Sequence, residues 1–341
     1  MTALGGADGA LFEYRRGLHL RGTVLWFDAP RARDVCFVSS AAISGAHRHE
    51  KILCTGETAE LLHALAEAHG RGRRVHEPRA LVTPYGRPFS LGKLRLELFP
   101  AGYVLGSASL LVEHEGRRIV YAGPINPRER PPIERLEARR CDVLVLTGGY
   151  AGANRVVLPP AGGVREQIVR FVDAALEAGE TPVLLSAVLG EAQELVALLG
   201  DRPLRLHRRI HAVTSVYAGR GAGGLREATL LPFRATVRPG ETLIWPATLR
   251  DSPALSRLER RRVALVSAHA HEERPLGKTA LDGAFAYSAQ ADYSGLLEYV
   301  RACQPSTVVL TGGYCAELTG DLSALGITVL QAGPEEQLPL F

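Results

Sequence analysis

Arg95-Leu96-Glu97-Leu98-Phe99-Pro100-Ala101-Gly102-Tyr103-Val104-Leu105-Gly106-Ser107-Ala108 is the stretch from which the fold follows. Apolar and polar side chains alternate from Arg95 to Leu98, the period of a half-buried strand, and Phe99 continues the apolar run. A glycine-bearing loop follows, Ala101 to Ala108, and then two more short strand patterns, Ser109–Glu113 and Arg118–Tyr121. A strand, a loop with two glycines and a returning pair of strands point to a sheet built locally.

The same texture extends outward. Thr23–Phe27, Val35–Ser39 and Val143–Thr147 read as strands, and Glu57–His69 reads as a helix because Leu61, Leu62, Leu65 and Ala66 fall at helical spacing. From Leu11 to Tyr150 the pattern predicts an α/β sandwich rather than a bundle. The composition shifts at Leu158-Pro159-Pro160-Ala161-Gly162-Gly163, a predicted linker. Beyond it the rhythm becomes helix (Val164–Ala178), strand (Pro182–Ala187) and helix (Gly190–Leu199), with later strands at Thr242–Trp245 and Val263–Ser267. That alternation predicts a small doubly wound domain set into the first. From Phe285 onward a strand, a helix (Ser294–Ala302), a strand (Thr307–Leu310) and a short strand near Thr328–Leu330 are expected to complete the opening domain. The expected plan is a flexible lead over 1–10, the opening domain over 11–159, the insert over 160–282, its closing part over 283–332 and a tail over 333–341.

Bulk properties narrow the class. With 341 residues, 46% of them hydrophobic, the chain can bury a large core and has no disordered composition. No run of about 18 apolar residues occurs, so no membrane partner is expected and the cytoplasm is the default location. Cys36, Cys54, Cys141, Cys303 and Cys315 are scattered and never form C-x-x-C, which argues for core residues rather than disulfides or a thiolate zinc site. The net charge is +4, with arginine clusters at Arg71, Arg73 and Arg74, at Arg205, Arg208 and Arg209, and at Arg257, Arg260, Arg261 and Arg262. Arginine forks suit phosphate, but arginines decorating solvated faces are the plainer reading.

Five motifs carry a resemblance to a known family. Ala101–Ala108 resembles a loop A-G-H-x-x-G-S-A with Tyr103 in place of histidine. Cys36-Phe37-Val38-Ser39 runs into Ser40-Ala41-Ala42-Ile43-Ser44-Gly45, where the family has H-x-H-x-D-H. Val120-Tyr121-Ala122-Gly123-Pro124 carries proline where a strand normally ends in Gly-Asp. Tyr287-Ser288-Ala289-Gln290-Ala291-Asp292-Tyr293 resembles S-A-H-A-D-Y with glutamine for histidine, and Leu310-Thr311-Gly312-Gly313-Tyr314 has glycine where H-G is usual. Together they resemble the β-CASP branch of the metallo-β-lactamase-fold nucleases. The resemblance implies an αββα sandwich with an inserted β-CASP-like α/β domain, and in the family two zinc ions held by the H-x-H-x-D-H side chains and bridged by the Gly-Asp aspartate, with the S-A-H histidine as general acid. Asp28 matches a family aspartate that braces the metal loop; an aspartate opening a turn before Pro30 is an equal reading.

Ser40, Ala42, Ser44, Gly45, Tyr103, Pro124, Gln290 and Gly312 are therefore expected to hold no metal. Zinc requires imidazole, thiolate or carboxylate donors, and an amide is no general acid near neutral pH. A catalytically inactive, cofactor-free homologue is the expectation, partnered with nucleic acid, an active nuclease paralogue or a ligase or helicase complex. An unconventional metal-dependent phosphodiesterase and a purely non-enzymatic interaction module are the alternatives. Relocated ligands at His47 and His49, or at His269 and His271, are set against the commoner explanation of solvated histidines. Asp292 is expected to cap the helix near Ser294. Gly219-Arg220-Gly221-Ala222-Gly223-Gly224 reads as a surface loop rather than a phosphate cradle, and neither Ser186 nor Ser267 sits in a nucleophile elbow.

After a Gly333-Pro334 break the tail ends Gln337-Leu338-Pro339-Leu340-Phe341. Q-L-x-L-F resembles the short peptide by which bacterial replication and repair proteins dock on the sliding clamp. Gln337 would meet polar groups and Leu338, Leu340 and Phe341 apolar pockets. The alternative is a terminal strand packed on the core.

Overall fold

A computed structural model describes residues 2–3, 6–68, 76–130, 133–147, 156–221, 225, 230–234, 236–270, 279–312 and 316–333. Contacts divide the chain into two units. One comprises Met1–His63, Arg74–Val157 and Gln290–Phe341; the other comprises Ala64–Arg73 and Leu158–Ala289.

The first unit opens with β1 (Thr2–Ala3), α1 (Gly6–Gly9), β2 (Phe12–Tyr14), β3 (Leu18–Leu20), β4 (Trp26–Phe27), β5 (Val35–Phe37), β6 (Lys51–Cys54), α2 (Gly56–Glu67) and β7 (Arg79–Val82). These strands pair in chain order, antiparallel as far as β4 and parallel from β4 to β7. A second sheet holds β8 (Phe89–Leu91), β9 (Leu94–Pro100), β10 (Ala108–His114), β11 (Arg117–Tyr121) and β12 (Val143–Thr147). Strand alternation explains why the two sheets meet. Leu110 and Val112 of β10 face a core shared with Phe12, Phe27, Phe37 and Leu53 of the first sheet. Leu111 points the other way, into a core with Leu296, Tyr299 and Val300.

The second unit carries α3 (Ala161–Glu177), β13 (Thr181–Ser186), α4 (Glu191–Leu198), β14 (Leu204–Leu206), α5 (Arg208–Gly219), β15 (Leu230–Pro232), β16 (Thr242–Pro246), α6 (Pro253–Ser256), β17 (Arg261–Ser267) and β18 (Gly283–Ala286). Every pairing in its sheet is parallel, in the order β15-β14-β16-β13-β17-β18. Both faces are covered, as a parallel sheet requires. Leu184 packs with Val164, Ile168 and Val172 of α3, while Val183 and Leu185 pack with Trp245 and Leu255.

The chain then returns to the first unit through α7 (Tyr293–Cys303), β19 (Thr307–Thr311), α8 (Ala316–Ala324) and β20 (Thr328–Ala332). Strands β19 and β20 extend the second sheet parallel to β12, making two seven-stranded sheets among the described residues. Leu296, Tyr299 and Val300 of α7 and Leu318 and Leu322 of α8 cover its outer face. Ala59 and Leu62 of α2 pack against Cys36, Val38 and Cys54 of the first sheet. The expected αββα sandwich and small α/β domain are both present.

Four local expectations change. The strand at Phe285 does not open the closing part of the sandwich; it pairs Ala264–Ser267 with Gly283–Ala286 in the second unit's sheet. Residues 1–10, expected to be a flexible lead, include a strand paired with Glu13 and Tyr14. Asp8 ties this segment down: Thr307 Oγ1 donates to it at 2.8 Å and Arg117 lies 3.2 Å away. The predicted linker is shorter, because α3 begins at Ala161 directly after Pro160, whose fixed φ of −54° suits the position before a helix. The strand expected over Thr23–Phe27 starts only at Trp26. Thr23 instead turns the hairpin, its Oγ1 donating to Leu20 O and accepting from Leu25 N.

Cys36, Cys54, Cys141 and Cys303 are buried and free, as core residues. Cys315, Arg71, Arg73, Arg74, His271, Gly313, Tyr314 and the tail residues Gln337, Leu338, Leu340 and Phe341 lie outside the described residues. No helix among the described residues is long and apolar enough to cross a membrane.

Candidate functional site

Within the first unit, the strand ends that carry the motifs meet one another. Ala108 N donates to Ser39 O at 2.8 Å, joining the start of β10 to the segment after β5. Asn126 N donates to Ala101 O, and Ala291 N donates to Ile125 O. Thr147, at the end of β12, shares a 3.2 Å hydrogen bond with Thr311, at the end of β19. The segments bearing Ser40, Tyr103, Pro124, Gln290 and Gly312 are thus stitched to their neighbours.

The scaffold residues have packing reasons. Gly102 and Gly106 adopt φ of +68° and +72°, and neither has room for a Cβ. A Cβ on Gly102 would lie 2.4 Å from Asn126 O, and one on Gly106 would lie 2.5 Å from Glu57 Cβ. Thr55 and Thr58 both donate to Gly106 O, at 2.6 and 2.9 Å. Ser107 Oγ accepts from Tyr103 N and Val104 N, closing the loop on itself. Arg130 Nη2 donates to the carbonyls of Gly102 and Tyr103, at 2.7 and 2.5 Å. Asp292 caps α7 as expected, accepting from Gly295 N at 2.9 Å. The glycines and this aspartate are accounted for by backbone geometry and capping.

Asp28 has the richest polar environment of the group. It accepts from Ser39 N at 2.8 Å, from Ser39 Oγ at 2.5 Å and from Tyr121 OH at 3.0 Å. These bonds hold it at φ +40°, unusual for a non-glycine residue. The residue keeps some solvent-accessible surface, yet its carboxyl is enclosed by protein atoms, and that burial raises its pKa to about 6. The bonds from Ser39 and Tyr121 oppose the rise without cancelling it. Burial and the neighbouring Asp28 charge push the Tyr121 hydroxyl up in turn, while a hydrogen bond with Thr147 pulls it down. Gly123 closes this group from above: a Cβ there would sit 2.7 Å from both Cβ and Oγ of Ser39. The bracing reading of Asp28 therefore describes the structure, with Ser39 as the braced residue and Tyr121 as a partner 93 positions away that sequence reasoning missed.

The eight positions that the resemblance pairs with the family's metal and general-acid residues offer no comparable chemistry. Ser40 is fully buried and its Oγ accepts from Ala42 N at 3.3 Å, a local turn. Ala42 and Ser44 are exposed. Gly45 adopts φ +89° with Pro30 O where a Cβ would go, at 2.8 Å. Tyr103 is buried, and Pro124 and Gln290 are half-buried. Gly312 turns the chain at φ +84° beside Thr147. A dizinc cage does not fit these side chains: Gly45 and Gly312 carry only hydrogen, Ala42 a methyl and Pro124 a pyrrolidine ring, and the rest are neutral hydroxyls and an amide. Among the described residues no three His, Cys, Asp or Glu side chains are grouped to hold a metal.

The neighbouring histidines do not form a replacement pair. His47 is exposed, whereas His49 is wholly buried, contrary to the expectation of two solvated rings. Burial, with the nearby charges of Arg33 and His47, lowers the His49 pKa. His269 is half-buried after β17. Ser186 and Ser267 end β13 and β17, and Ser186 Oγ donates to Ala187 O. Gly219 ends α5 and Gly221 follows in a turn at φ +70°.

No family model matches the chain. A probable DNA ligase of Opitutus terrae is 30% identical over 336 residues, covering 96% of this chain and 32% of that protein. An RNase J-like protein of Methanocaldococcus jannaschii is 26% identical over 188 residues, covering 50% of this chain and 44% of that one. A ribonuclease of Thermus thermophilus is 31% identical over 136 residues, covering 40% of this chain and 31% of that one. The fold is the metallo-β-lactamase sandwich with a β-CASP-like insert. These relatives fit that nuclease family, and the chain spans about a third of the length of the ligase it matches. A solved structure, a protein of unknown function from Enterococcus faecalis, superposes with a TM-score of 0.57 over 90% of this chain and 81% of its own, at 12% identity. That likeness concerns the fold alone.

Proposed function

We propose that this chain is a non-catalytic homologue of β-CASP nucleases that engages nucleic acid beside a ligase-type activity. The observation that carries the reading is the chemistry of Ser40, Ala42, Ser44, Gly45, Tyr103, Pro124, Gln290 and Gly312. Where a metal-activated water would need imidazoles and carboxylates, they place hydroxyls, an amide, hydrogens and a pyrrolidine. The alignment of nearly the whole chain with one third of a probable DNA ligase supports the pairing with ligation, and the ribonuclease relatives support a nucleic-acid partner. Docking on the sliding clamp through Gln337, Leu338, Leu340 and Phe341 belongs to the same proposal and rests on the sequence of the tail.

The motif glycines do not argue for surviving catalysis, because Gly102, Gly106 and Gly123 each sit where a Cβ would collide. The test is a pair of assays on the full chain with labelled DNA and RNA, zinc or manganese being supplied. Binding without cleavage is expected. Metal-dependent cleavage lost in His47→Ala with His49→Ala would instead favour the unconventional enzyme. For the tail, capture by a sliding clamp is expected from the full chain and not from Gln337→Ala with Phe341→Ala.

A further inference from the structure

Between residues 15 and 48 the sequence holds six arginines (Arg15, Arg16, Arg21, Arg31, Arg33, Arg48) and only two carboxylates, Asp28 and Asp34. Asp28 is committed to Ser39 and Tyr121, which leaves exposed Asp34 as the acid of this segment. Just outside it, Glu13 is held by Arg15 at 2.9 Å and by His19 Nδ1 at 2.7 Å.

The fold draws these arginines together. Arg33 lies over Trp26, its guanidinium carbon 3.7 Å from the ring centroid, and its Nη2 donates to Arg15 O at 2.6 Å. His19 stacks on Trp26 with centroids 4.4 Å apart. Arg48 Nη1 reaches Pro30 O at 3.4 Å, beside exposed Arg31. Arg16 is exposed at the turn between β2 and β3, at φ +54°. Burial first, and then the charges of Arg31 and Arg15, lower the pKa of Arg33, so these like charges are close enough to repel. Arg33 is thus fixed on an indole and tied to the backbone of Arg15.

We propose that Arg15, Arg16, Arg31, Arg33 and Arg48, carried by the β2–β3 turn and the segments on either side of β5, form a binding surface for the sugar-phosphate backbone of a nucleic acid. The inference rests on the nucleic-acid reading above and locates the contact on the first unit. Guanidinium forks match phosphate oxygens, and Trp26, covered by Arg33 and stacked by His19, anchors one of them. Gly45 packs on Pro30 and Arg48 bonds to it, so the surface adjoins the segment that carries Ser40 and Ser44.

The test is fluorescence anisotropy of the full chain with a labelled oligothymidylate across a salt series. Arg15→Gln/Arg31→Gln/Arg48→Gln is compared with an equal charge change at exposed sites elsewhere, Arg95→Gln/Arg165→Gln/Arg301→Gln. The first variant should bind about tenfold or more weakly and lose roughly two units of slope in log K against log salt, at about 0.7 per phosphate contact. The second should match the parent. Arg15→Lys/Arg31→Lys/Arg48→Lys should keep most of the slope, and thermal melting checks folding. If one variant misfolds, the single changes Arg31→Gln and Arg48→Gln carry the test. Equal weakening in the two glutamine variants overturns the surface while leaving nucleic-acid binding intact. A parent that binds anionic phosphatidylserine vesicles but no oligonucleotide overturns both.

Discussion

Two loops of the sandwich, Ala101–Ser107 and Ser40–Gly45, lie on neighbouring strand ends and obey different constraints. In the first, every residue is buried, Gly102 and Gly106 have no room for a Cβ, and Ser107 Oγ accepts two backbone N–H groups. In the second, Ser40 and Ala41 are buried, Ile43 packs on the core and Gly45 has no room for a Cβ, but Ala42 and Ser44 are exposed. A loop whose shape depends on its own side chains keeps the residues that make the shape. On the reading proposed above, exposed positions such as Ala42 and Ser44 have no such structural tie and are free to depart from the family's motif.

The contrast is breakable by substitution. Gly106→Ala should be the most damaging change, costing on the order of 3 kcal/mol because left-handed strain adds to overpacking against Glu57. Denaturant unfolding would show it, and a loss under about 1 kcal/mol would mean the loop yields easily. Ser107→Ala should cost roughly 2 kcal/mol by stranding the N–H groups of Tyr103 and Val104.

Asp28 lies between these extremes. Its folded pKa of about 6 exceeds the ordinary value of 3.8, so the folded state holds its proton more tightly than the unfolded chain. The cost of its buried charge is absent below about pH 4, grows as pH rises to about 6 and stays constant above. The shift corresponds to about 3 kcal/mol at most, or roughly 1–2 after allowing for the residue's remaining exposure. Relative to Asp28→Asn, the parent should therefore lose stability between pH 4 and 6; parallel stability curves would contradict the assignment. The smallest effect belongs to Ser44→Ala, expected within about 0.5 kcal/mol of the parent.

Much of this was legible in the chain. Val143–Thr147 is the strand its β-branched run announces, because a strand buried on both faces needs only local apolar character. The cap at Asp292 and the loop at Ala101–Ala108 follow from residue type and spacing. Other elements were missed for identifiable reasons. Phe12–Tyr14 and Lys51–Cys54 are too short and mixed to show a period. Helix Arg208–Gly219 carries a signal, with Ile210, Val213, Thr214 and Tyr217 buried at helical spacing, but the arginines at its start and the glycine-rich stretch at its end mask it. The bonds joining Asp28 to Ser39 and Tyr121 span 11 and 93 positions, and no local pattern encodes them.

Zinc content most directly tests the claim that the ligand positions no longer form a cage. Full-length protein exposed to excess zinc, desalted and assayed by elemental analysis should retain far less than one ion per chain. Two tightly held zinc ions per chain would contradict the account.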